Sequence, residues 1–237
     1  FLSRPPGARP DIRFSLEDFR SVSLILVSHG HFDHAMDVAG LARISGARVQ
    51  APLKTCGILK KQGVNSALLH ANEQFSDFSW NGARIRVEPS RHIVFDLPLI
   101  RKTLGLTLRG GSWARILPLL WRYPAGSNSE FLLDFDGYRI LFSGSGGGDW
   151  DRLARLRPHC CMIPFAGRSD LTDFYLDAML RVRPEVVLLH HFDHFFPSFC
   201  VDYPVEEFRE KFSRALPETR LIVPKVLETF SLPIRDG

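Results

Sequence analysis

An α/β fold built on a mixed sheet is predicted by three observations. Short apolar runs rich in branched residues recur along the chain, as strands with one or two buried faces require. Toward the C-terminus these runs alternate with helical segments, which favours parallel strands joined by crossover helices. In the middle, Asp136-Gly137 separates two runs. That pair suits a tight hairpin turn, so part of the sheet is antiparallel.

The first strand is Ser23–Val27 (SLILV). Helices are predicted over Ala35–Ile44, stopped by Gly46, and Lys54–Gln62, stopped by Gly63, because glycine takes the left-handed position that ends a helix. Strands follow at Arg84–Val87, Ser129–Leu133 and Tyr138–Ser143, then a glycine-rich loop from Gly144 to Gly148. The remaining order is helix Trp150–Leu156, strand Cys160–Ile163, helix Leu171–Val182, strand Val186–His190, helix Val205–Ala215 and strand Leu221–Val223.

With 237 residues, no solenoid-period repeat and no low-complexity linker, one domain over residues 1–237 is expected. A composition 45% hydrophobic and 24% charged excludes a disordered or fibrous chain. The net charge of +4 accommodates an anionic ligand without demanding one. Cys56, Cys160, Cys161 and Cys200 form neither a disulfide framework nor a CxxC thiolate site. No apolar run reaches the roughly 18 residues of a membrane span. The chain opens on Phe1, so a preceding segment, with any targeting signal, is expected upstream. The compartment and the oligomeric state are unread, with cytoplasm as the default.

Residues 97–122 stand apart, with five basic residues (Arg101, Lys102, Arg109, Arg115, Arg122), Trp113, Trp121 and no acid. One reading is an irregular insertion whose apolar side chains join the core. The other is a basic, aromatic flap over a functional site, touching an anionic or lipid-like small molecule.

The chemistry concentrates in Ser28-His29-Gly30-His31-Phe32-Asp33-His34, where an apolar strand gives way to a helix. Imidazole nitrogen and carboxylate oxygen bind zinc, manganese, iron or nickel. A structural role would bury or solvate four polar side chains here without compensation. His92 follows the strand at Arg84–Val87, and His190, His191 and His194 sit at the end of another apolar strand.

Together these features resemble the metallo-β-lactamase superfamily, whose HxHxDH motif matches at His29, His31, Asp33 and His34. Within it, the chain is most similar to the branch holding the ascorbate-6-phosphate lactonase and the phospholipase D of N-acylphosphatidylethanolamines. The resemblance implies a four-layered αββα sandwich with a metal site at one edge. It implies a first ion on His29, His31 and His92, and a second on Asp33, His34 and His191. His190 would then pack or support, because adjacent strand residues face opposite ways. Zinc is expected, one or two ions, with manganese or iron as alternatives. Asp33 would orient the attacking water and take its proton, hold the second ion, or do both. His70 and His159 have no ligand context.

Two departures from the pattern stand out. The family places a bridging aspartate where this chain has Ser145, which weakens the second ion most; Asp149 is a distant substitute or a helix N-terminal charge. Early family strands also lie before Phe1-Leu2-Ser3-Arg4-Pro5, so they are expected to be missing from this chain. The leading expectation is hydrolysis of a small ester, lactone or phosphodiester. The alternatives are a nuclease and a non-catalytic metal- or ligand-binding member. No nucleic-acid partner is expected, since there is no Lys/Arg-rich run or nucleic-acid module.

Overall fold

The computed structural model describes residues 8–10, 14–110, 113–194, 201–226 and 228–232. The opening Phe1 to Pro5, Phe195 and Cys200 lie outside the described residues, as do the side chains of Arg109, Trp113 and Arg115.

Strands β1 (Leu24–Leu26), β2 (Arg48–Ala51) and β3 (Leu69–Ala71) pair in parallel in the order β1-β2-β3. Their crossovers contain α1 (Phe32–Ala35), α2 (Val38–Ser45) and α3 (Leu53–Lys61). The helix expected over Ala35–Ile44 is two helices, broken at Met36-Asp37. Its stop is as read: Gly46 has φ +68°, a conformation that costs a β-carbon-bearing residue most.

A second sheet has the order β10-β9-β8-β7-β6-β5-β4. Strands β4 (Asp77–Trp80), β5 (Ala83–Ser90), β6 (Asn128–Phe135) and β7 (Tyr138–Ser143) pair antiparallel with one another in chain order. From β7 onward, β8 (Cys160–Pro164), β9 (Val186–His190) and β10 (Arg220–Ile222) pair in parallel. The crossovers there are α6 (Trp150–Arg155), α7 (Leu171–Val182) and α8 (Val205–Ala215).

Apolar contacts define the layers. Leu24 and Leu26 pack with Ile85, Val87, Phe131 and Phe142, which joins the two sheets face to face. Val38, Ala42, Cys56 and Leu59 cover the outer side of the small sheet. Leu153, Tyr175, Phe208 and Phe212 cover that of the large one. The result is helix, sheet, sheet, helix, an α/β sandwich.

Sequence periodicity missed β2, β3 and β4, which have only three or four residues each, too few to show alternation. Of the two readings of residues 97–122, the irregular insertion is the one that fails. These residues form helices α4 (Leu97–Gly110) and α5 (Trp113–Arg122). Gly105, Gly110 and Pro118, which interrupt helices when local preference decides, hide the pattern.

Candidate metal centre

The rim of the sandwich collects the ends of several strands. Directly after β1 the chain makes a tight passage at Gly30. Its N–H donates to Ala125 O at 2.7 Å, and a β-carbon there would overlap the backbone Pro124 O as well as meet Thr55 Oγ1 at 2.7 Å. Only glycine fits so close to a neighbouring backbone. His29 and His31 flank it, and His31 caps α1, which contributes Asp33 and His34. His92 follows β5, tied to the glycine-rich loop by a bridge to Gly146. His191 follows β9 at φ +60°, turning the chain out of the strand.

The structure brings these six residues together in two groups. Ring centroids lie 4.8 Å apart for His29–His31, 5.2 Å for His29–His92 and 4.8 Å for His31–His92. In the second group, Asp33 Oδ2 accepts from His191 Nε2 at 3.0 Å and lies 3.3 Å from His34 Nε2. Within each group one ligand atom per residue lies within 4.8 Å of the others. The His29 and His34 rings, 4.0 Å apart, join the groups.

Neighbouring atoms orient the rings. Ser28 Oγ lies 3.0 Å from His29 Nδ1, and His92 Nδ1 donates to Ile93 O at 2.8 Å. Both contacts leave Nε2 for the cluster, since the hydrogen bond at one ring nitrogen sets the role of the other. Burial and the surrounding imidazoles push His29 and His92 down and His31 down to about 4, keeping them neutral at ordinary pH. Burial opposes the charge on Asp33, but His34 and His191 outweigh it and hold the carboxyl well below its usual range. Burial also opposes charge on His191, yet its bond to Asp33 raises it.

Other residues named by sequence lie elsewhere. His190 donates to Ser143 O at 2.8 Å and stacks on Phe142. His194 pairs with Asp202 at 2.8 Å. His159 accepts from Arg139 N at 3.0 Å, while His70 lies on β3. Asp149 caps α6 by accepting from Arg152 N at 3.0 Å. Ser145 does reach the cavity wall, but its hydroxyl donates to Arg91 O at 2.9 Å.

Sequence reasoning missed the cavity. It measures about 380 Å³, and beside the histidines its walls include Phe95, Leu99, Ile100, Leu104, Ile116 and Leu120. Only helical spacing in α4 and α5 could have flagged the last five, and Phe95 lies in the loop before them. Ser28 was also missed, although it directly precedes the motif.

The donor set fits a divalent cation. His29 is 1% exposed, and its Nε2 has no hydrogen-bond partner among the described residues. A buried polar atom without a partner is costly, and here it sits with two further neutral imidazoles. A cation relieves that cost. Three imidazoles suit zinc, and the mixed carboxylate group suits zinc, manganese or iron.

Comparisons with known proteins agree with this architecture. The family model described as Beta-lactamase superfamily domain matches residues 4–192. The chain is 25% identical over 227 residues to a UPF0173 metal-dependent hydrolase of Thermoplasma volcanium, covering 94% of this chain and 86% of that protein. It is 27% identical over 221 residues to a UPF0173 metal-dependent hydrolase of Carboxydothermus hydrogenoformans, covering 91% and 83%. Among solved structures, Igni18, a metallo hydrolase from Ignicoccus hospitalis, superposes with a TM-score of 0.63 at 19% identity, over 91% of this chain and 83% of that one. On the matched domain, the sandwich and the rim of histidines, the chain belongs to the metallo-β-lactamase superfamily.

Proposed function

We propose that this protein is a metal-dependent hydrolase acting on a small, largely apolar ester, lactone or phosphodiester. The observation that carries the reading is the pair of candidate ligand groups in the wall of a largely apolar cavity of about 380 Å³. Residues 1–237 would form one hydrolase domain, with 97–122 as its flap. His29, His31 and His92 would hold one cation, and Asp33, His34 and His191 a second, with zinc as the metal. Bound cations supply Lewis acidity, lowering the pKa of water from about 15.7 to about 7 and polarising the substrate oxygen.

The chain's own residues do the rest. Asp33 stays ionised, so it orients the attacking water by accepting its hydrogen bond. It takes the water's proton as the new bond forms and passes it to the leaving oxygen. The cavity walls exclude bulk water, which strengthens each electrostatic contact at the rim. Arg101, Lys102 and Arg122 are exposed, and no Lys or Arg lines the cavity among the described residues. That favours an apolar substrate body over an anionic one and gives the nuclease reading no support.

Ser145 favours one other reading, a cation-binding member without turnover, because its hydroxyl is committed to Arg91 O and is no substitute for a bridging carboxylate. Elemental analysis beside turnover of nitrophenyl esters, lactones and a bis-nitrophenyl phosphate decides between them. The hydrolase should hold one or two cations, and His29→Ala and His31→Ala should lose cation and at least about 100-fold in rate. Cation retention and undiminished turnover in both variants would sink the hydrolase; cation without turnover on any class would favour the binding protein.

A further inference from the structure

We infer that helices α4 and α5 dock this protein on an anionic lipid bilayer, an inference that stands apart from the hydrolase reading. Among the described residues, fifteen large hydrophobic side chains are exposed, and nine of them fall between Val94 and Trp121. This clustering differs from the scattered exposure normal at a protein surface.

The helices explain the cluster. On α5, Ile116 is buried with Phe32 and Ala35, and Leu119 packs against them. Its other side carries Leu117, 53% exposed, and Trp121, 89% exposed, one turn apart. On α4, Leu99 is buried, whereas Leu97, Ile100, Leu104 and Leu108 are between 44% and 67% exposed. Their spacing of three and four residues makes a single stripe. A helix apolar on both sides is at rest when both meet apolar surroundings, yet here one side faces water.

Charge identifies the occupant. The segment 97–122 has five basic residues and no acidic one, and Arg101, Lys102 and Arg122 are exposed beside the apolar stripe. Apolar side chains with tryptophan and flanking basic groups are what an interfacial helix offers to headgroups and acyl chains. A second copy fits poorly, because a two-fold contact through this face sets basic residues against basic residues. The patch also runs into the cavity: Ile100, Leu104 and Leu120 are exposed on it and line the cavity wall. An apolar molecule leaving a bilayer would reach the histidines along a continuous apolar path.

Co-sedimentation with vesicles tests this, using phosphatidylcholine with about 30% phosphatidylglycerol against phosphatidylcholine alone. The wild type should sediment with the anionic vesicles, and high salt should weaken the binding. Leu108→Glu with Trp121→Glu, neither a cavity residue, should lower partitioning at least about tenfold while circular dichroism and turnover of a soluble substrate stay unchanged. Arg101→Ala and Lys102→Ala should each lower it about fivefold. No vesicle binding, or binding indifferent to these substitutions, would overturn docking. So would a dimer dispersed by the double variant with no affinity for vesicles. A protein that sediments but hydrolyses nothing upholds docking and sinks only the hydrolase.

Discussion

Ser28 shows how far a single hydroxyl reaches. It is 3% exposed, and its Oγ lies 3.0 Å from His29 Nδ1, so it fixes both the ring and the nitrogen presented to the cluster. The loop after β7 depends on the same side chain, because a β-carbon at Gly144 would overlap Ser28. Groups that orient a metal ligand typically contribute 10–100-fold to metal affinity. Ser28→Ala should therefore weaken cation retention by about that factor without unfolding the protein. Chelator competition on the intact variant measures it, and an unchanged affinity would mean that packing alone sets the His29 ring. The motif that names His29 is read directly from the sequence; the partner of its second nitrogen is read only from the structure.

At the scale of elements, the β6–β7 hairpin and the helices α4 and α5 make opposite cases. Asp136 and Gly137 have φ +49° and +92°, and Asp134 Oδ1 accepts from Gly137 N at 2.8 Å. Two consecutive positive φ values match the twist of the strands they join. Gly137→Ala should cost about 1 kcal/mol, the penalty of a β-carbon in the left-handed region, and lower Tm by about 2–4 °C. Differential scanning calorimetry reads this, and an unshifted Tm would show the turn relaxing to another type. This hairpin was legible because its signal is two adjacent residues. The helices α4 and α5 were not, because Gly105, Gly110 and Pro118 interrupt the run and read locally as breaks.

Across the whole molecule, Glu130 sits where the layers meet. It is fully buried on β6 and accepts from Ser90 Oγ on β5 at 2.7 Å. Burial raises its carboxyl from 4.5 to about 7. Tyr175 on α7 and Cys161 on β8 face it as a neutral phenol and a neutral thiol, since burial raises both, so neither adds a charge beside it. The native state therefore keeps a proton that the unfolded chain has released between these two values. The stabilisation is present below pH 4.5 and is lost as pH rises through about 7, with a slope of at most about 1.4 kcal/mol per pH unit. Glu130→Gln should remove that slope. Urea denaturation at about pH 5 and about pH 8 compares the two proteins, and parallel pH profiles would place the titration on another group.

The residue types of the HxHxDH stretch, the alternation of short strands and helices after residue 137, and the turn at Asp136-Gly137 all act over a few neighbouring positions, so the sequence by itself determined the chemistry and the fold class. The residue pattern alone does not separate His190 from His191, and only the family resemblance prefers His191. The positive φ at His191 decides between them, turning one ring toward Asp33 while His190 stays in β9 against Phe142. Tertiary structure alone brought His92 beside His29, through the pairing of β5 with β6 and its bridge to Gly146. It alone also set α4 and α5 as the wall of an apolar cavity. Convergence of distant segments depends on long-range pairing and burial, and a one-dimensional pattern carries no distance between residues so far apart.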